Sequence, residues 1–90
     1  MAEVAVVMRI LPNRVNADLG DVLRKIQEKL PEGYKVMSHG EEPIAFGLKA
    51  LKLVVKMPED VEGGTETLED LIKEVDDVEE VEVEAVHRLS

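Results

Sequence analysis

The chain is 90 residues long, 44% hydrophobic and 34% charged, with no cysteine, no tryptophan, one tyrosine and one phenylalanine. This length makes one domain over residues 1–90, and the missing cysteines exclude disulfides and thiolate metal sites. No run is long and apolar enough to cross a bilayer, and Met1-Ala2-Glu3 lacks the start of a secretory signal. A soluble intracellular protein is expected.

The net charge of −9 is unevenly spread. Residues 1–58 hold nine basic and seven acidic side chains, whereas residues 59–90 hold thirteen acidic and two basic, Lys73 and Arg88. An acidic half of this strength repels phosphate backbones, so direct nucleic-acid binding is disfavoured. It reads either as a solvated face that keeps the protein soluble or as a surface steered toward a basic partner.

In chain order, Glu3 to Leu11 is rich in β-branched residues and apolar on both faces, which predicts a central strand closed by Pro12. Asp18 is a helix N-cap. Leu19, Val22, Leu23, Ile26 and Leu30 follow at helical spacing until Pro31-Glu32-Gly33 ends the helix. Tyr34 to about Glu41 is a polar edge strand, and Pro43 to Gly47 is a turn.

That turn carries Phe46, the only phenylalanine. Small domains usually bury their aromatics because each removes a large apolar area from water. Phe46 is therefore either a local plug or an anchor for a partner.

Leu48 to Met57 is a strong strand, with Leu51, Leu53, Val55 and Met57 on one face and Lys52 and Lys56 on the other. Pro58 stops it. Thr65 is read as the N-cap of a second helix whose stripe is Leu68, Leu71, Ile72 and Val75, broken by Asp76-Asp77. In the last strand Val81, Val83 and Ala85 alternate with Glu80, Glu82 and Glu84.

The order strand, helix, strand, strand, helix, strand predicts an α+β, ferredoxin-like two-layer sandwich. Its four-stranded antiparallel sheet carries both helices on one face and leaves Glu80, Glu82, Glu84, Lys52 and Lys56 on a wet face. The Phe46 turn then lies at one end. The Pro58–Thr65 loop and His87-Arg88-Leu89 lie at the other, roughly 25–30 Å away for strands of this length. A function using both ends must span a large partner.

Catalytic chemistry finds no foothold. Ser38 and Ser90 lack a His-plus-acid partner, and His39 and His87 fall at opposite ends of the predicted sheet, too far apart to share a metal. Gly63-Gly64-Thr65 precedes a helix but lacks the phosphate-loop spacing and lysine, and Glu59, Asp60, Glu62 and Glu66 surround it. No catalytic residue, metal or cofactor is expected. Arg88 reads either as one half of a cross-strand ion pair or as a cation that projects into a partner's acidic or metal-binding pocket.

Three segments carry a resemblance. They are Glu42-Pro43-Ile44-Ala45-Phe46-Gly47-Leu48-Lys49-Ala50-Leu51, Glu62-Gly63-Gly64-Thr65-Glu66 and Val86-His87-Arg88-Leu89. With the length and element order, they resemble the archaeal elongation factor 1-beta family across essentially the whole chain. The chain is also similar to the C-terminal exchange domain of the eukaryotic factor.

The resemblance implies a guanine nucleotide exchange factor for elongation factor 1-alpha, the GTPase that delivers aminoacyl-tRNA. In the eukaryotic relatives one end of the domain disturbs the GTPase's magnesium site and the other docks on its second domain. Phe46 matches the docking aromatic. Arg88 matches the near-terminal basic residue, which is Lys in the eukaryotic pattern. Arg is planar and bulkier than Lys, and the chain also ends one residue further on, at Leu89-Ser90.

The matching segments make Pro43, Phe46, Gly47, Lys49, Gly64, Thr65, His87, Arg88 and Leu89 the candidate partner-binding residues. A cytoplasmic protein, monomeric when free, that touches neither membrane nor nucleic acid directly is expected. Two rivals share the fold. One is a small-molecule-binding regulatory module. The other is an acyl-phosphate hydrolase, which wants a glycine-rich basic cradle that Pro12-Asn13-Arg14-Val15 does not provide.

Overall fold

A computed structural model describes residues 2–89. The elements are β1 (Glu3–Pro12), α1 (Leu19–Lys29), β2 (Lys35–Pro43), β3 (Lys49–Pro58), α2 (Thr65–Lys73) and β4 (Val78–Arg88). The strands form one sheet in the order β2-β3-β1-β4, and each neighbouring pair is antiparallel. This is the ferredoxin-like arrangement that the element order predicts.

Directly opposed residues of antiparallel strands share a face, so the register identifies the two sides of the sheet. Val6, Met8 and Ile10 of β1 oppose Val55, Leu53 and Leu51 of β3, and all six are buried. Leu19, Val22 and Ile26 of α1, with Leu68 and Ile72 of α2, close over them as one core. Each buried Leu, Ile or Met contributes roughly 1.5–3 kcal/mol relative to exposure. β1 is central, paired with β3 and β4, and on its other face Ala5 is buried and Val7 half-buried.

The Asp18 carboxylate accepts from the Asp21 N–H at 3.1 Å, which caps α1 as expected. The second helix starts differently. Gly64, not Thr65, is its N-cap, and Thr65 is its first helical residue. Gly63 and Gly64 both have positive φ, 85° and 57°. The chain enters α2 through a left-handed approach that a β-branched residue resists. The hydroxyl that ties this entry down is that of Thr67, which donates to the Glu62 carbonyl at 3.3 Å.

The last strand is longer than the alternation of Val81, Val83 and Ala85 indicates. It pairs with β1 from Val78 to Arg88, because the backbone groups of a central strand need partners along their whole length. A register shift puts Val83 opposite Met8 and Ala85 opposite Val7, with Glu84 as the extra residue. Ala85 therefore turns to the open face, away from Val81 and Val83.

The open face is charged and interlocked. Arg9 lies 2.7 Å from Glu82 on β4 and 3.5 Å from Glu42 on β2. Lys52 on β3 pairs with Glu84 and sits 3.9 Å from Glu42. Glu84 holds the Lys52 ammonium above its ordinary pKa and is itself held below the ordinary carboxylate value.

Candidate partner-binding surface

Antiparallel pairing sets the direction of each strand, so Pro12, Pro43, Lys49 and Val78 mark one end of the sheet. Glu3, Pro58 and Arg88 mark the other. The candidate residues divide between these ends as expected. Pro43, Phe46, Gly47 and Lys49 are at the first. His87, Arg88 and Leu89 are at the second, where the loop after Pro58 leads to Gly64 and Thr65.

At the first end, Ala45 to Leu48 form a turn closed by the Leu48 N–H donating to the Ala45 carbonyl at 2.9 Å. Phe46 and Gly47 both have positive φ, 55° and 77°. This sign pattern belongs to the type I′ hairpin turn, whose first central position favours Asn, Asp or Gly. Phenylalanine there costs about 1 kcal/mol of backbone strain. Phe46 is 99% exposed, so it is not a plug within its own hairpin.

Val15, in the loop after β1, stands beside this turn: a Cβ on Gly47 would lie 3.7 Å from its Cγ1. Val15, Ile44 and Phe46 make an exposed apolar rim at this end. Below it a cleft of about 310 Å³ is lined by Pro12, Val15, Glu41, Gly47 and Lys49. Lys49 sits 3.8 Å from Glu41 across the β2–β3 ladder.

At the second end, Arg88 opposes Val4 at the foot of β1, and the next residue is still held there: the Leu89 N–H donates to the Glu3 carbonyl at 2.8 Å. His87 opposes Ala5 on the open face and is exposed. The Arg88 Nε lies 3.1 Å from Glu59 Oε2. Both readings of Arg88 thus have a footing, since the side chain is paired and yet 69% exposed.

His39 and His87 lie on β2 and β4, the two edge strands, rather than at opposite ends; His39 is midway along its strand. Among the described residues, no group of three or more His, Asp or Glu is placed to hold a metal ion. No helix among them is long and apolar enough to cross a membrane.

Periodicity missed two participants. Glu59 gives no signal of its own within an acidic loop, and Arg9 looks like a lone charge inside an apolar strand. Both matter only through partners brought in by strand pairing, Arg88 for Glu59 and Glu42 and Glu82 for Arg9.

The class of this domain follows from comparison with known proteins. The family model described as the EF-1 guanine nucleotide exchange domain matches residues 5–89. The elongation factor 1-beta of Aeropyrum pernix is 56% identical over 89 residues, covering 99% of each chain. Those of Desulfurococcus amylolyticus and Staphylothermus marinus are 56% and 52% identical over the full length of both chains.

The chain belongs to the elongation factor 1-beta family. It is a guanine nucleotide exchange factor of translation elongation, and its partner is the GTPase elongation factor 1-alpha. This assignment displaces the regulatory-module and hydrolase readings.

Proposed function

We propose that the domain, residues 1–90, works from its two ends. The Phe46 turn, with Pro43, Gly47 and Lys49, docks on the second domain of elongation factor 1-alpha. The opposite end, with Gly64, Thr65, His87, Arg88 and Leu89, engages the region around the GTPase's nucleotide and magnesium. The protein acts in the cytoplasm as a monomer, without touching membrane or nucleic acid.

The observation that carries the docking assignment is the turn itself. Phe46 combines positive φ with 99% exposure, so the fold gains neither burial nor backbone ease from it. A residue that costs the fold in both respects is best explained by what it does for a partner.

Exchange itself is a matter of linkage. A factor that binds the nucleotide-free GTPase more tightly than the GDP form weakens GDP binding by the same ratio. A cation brought near the magnesium position removes part of the electrostatic hold on the β-phosphate.

Release of labelled GDP from elongation factor 1-alpha tests the proposal. Phe46→Ala is expected to weaken binding and Arg88→Ala to slow release within the bound complex. Negligible effects of both substitutions, alongside active wild type, would remove the site assignment and leave the family intact.

A further inference from the structure

Arg88 is not free in the isolated protein. Val4 is opposed by Met57 on one side and by Arg88 on the other, so both lie on the helix-bearing face. Glu59 follows Met57 by two residues, and its N–H donates to the Ala2 carbonyl, extending the β1–β3 ladder by one step. That step brings its carboxylate over the foot of β1 to within 3.1 Å of the Arg88 Nε.

We propose that Glu59 masks Arg88: it neutralises the guanidinium in the free protein and must be displaced before Arg88 acts on the GTPase. The inference rests on the reading of Arg88 as the cation that works at the nucleotide site. In the free protein the charge of Arg88 is offset by the carboxylate that faces it, that of Glu59.

The mask is built to yield. Both side chains are substantially exposed, 69% for Arg88 and 39% for Glu59. An ion pair of that exposure holds the closed form by about fivefold or less. A partner's anionic pocket can displace it. Among the described residues, no other cation lies within ion-pair distance of the acidic loop from Glu59 to Gly64, so the pairing is specific to Arg88.

The test is a double-mutant cycle in the GDP-release assay, with the free protein followed by nitrogen-15 NMR of the arginine Nε–H groups. Glu59→Gln keeps size and backbone bonding while removing the charge. It is expected to speed release about two- to fivefold and to have no effect in an Arg88→Ala background. In the free protein it should shift the Arg88 Nε–H resonance.

Unchanged or slower release with Glu59→Gln would overturn the mask, as would an unmoved resonance. If Arg88→Ala alone leaves release untouched while the resonance does shift, the pair exists but the reading of Arg88 has failed. The proposed mask falls with it.

Discussion

Phe46 and Arg88 stand at opposite ends of one sheet, separated by the length of β3. Phe46 sits in the turn that leads into Lys49. Arg88 and Pro58 flank the foot of β1, Arg88 opposite Val4 and Pro58 opposite Glu3. Ten residues of strand span roughly 30 Å, within a molecule 42 Å long. Strand pairing along the sheet holds the two ends apart, so a contact at one end orients the other.

Replacing Phe46 should separate stability from binding. Phe46→Asn fits the left-handed backbone better and removes an exposed ring. Its thermal midpoint is expected to rise, by a gain of up to about 1 kcal/mol. Burial of a phenylalanine at an interface contributes about 1.5–3 kcal/mol, so affinity for elongation factor 1-alpha should fall roughly 10- to 150-fold. Calorimetry of the free protein and of the complex checks both.

Arg88 substitutions should do the reverse, leaving the fold alone and changing exchange. The Glu59 pair is exposed, so Arg88→Ala is expected to alter unfolding free energy by less than about 1 kcal/mol. Single-turnover GDP release should slow at saturating factor. Arg88→Lys keeps the charge in a more compact form, and partial retention of the rate would show that charge outweighs planar shape.

Truncating the core should cost much more than either. Ile26 and Leu53 are 0% and 1% exposed beneath the two layers. Ile26→Ala or Leu53→Ala is expected to destabilise by about 2–5 kcal/mol. For a 90-residue domain that is a large part of total stability, visible as a lower urea midpoint.

Acid should weaken charge pairs on both the open face and α1. Hydrogen bonding and the charge of Lys52 hold the Glu84 carboxyl below its ordinary value of 4.5, and hydrogen bonds from Arg24 and Lys25 hold Asp21 below 3.8. A carboxylate whose pKa is depressed by folding stabilises the native state fully above its unfolded pKa. That stabilisation is lost as the pH falls through the folded value. Urea midpoints should therefore drop below about pH 4.5, and Glu84→Gln should make that decline shallower.

Gly63→Ala should perturb the entry to α2. Its φ is 85°, and a Cβ there would lie 2.9 Å from the Thr67 hydroxyl. Strain of about 1 kcal/mol from the backbone alone is expected, with partial relief by Thr67→Ala in the same chain. Chemical denaturation of the single and double variants measures it.

Short-range chemistry made the elements of this protein legible from residue order. Alternation placed Leu51, Leu53, Val55 and Met57 on one face of β3, helical spacing aligned Val22 with Ile26, and Asp18 marked the start of α1. The turn around Phe46 and the two-ended layout were equally legible, because the order of elements leaves few ways to assemble a sheet.

Three features needed the tertiary structure. Two glycines of positive φ moved the cap of α2 from Thr65 to Gly64. A bulge at Glu84 turned Ala85 to the open face, and pairing with β1 carried the strand to Arg88. The partners of Arg9 and Arg88 lie far along the chain, Glu82 being 73 positions from Arg9. Periodicity reports which way a side chain points. Strand order and register, set by packing the whole core, decide which charge it meets there.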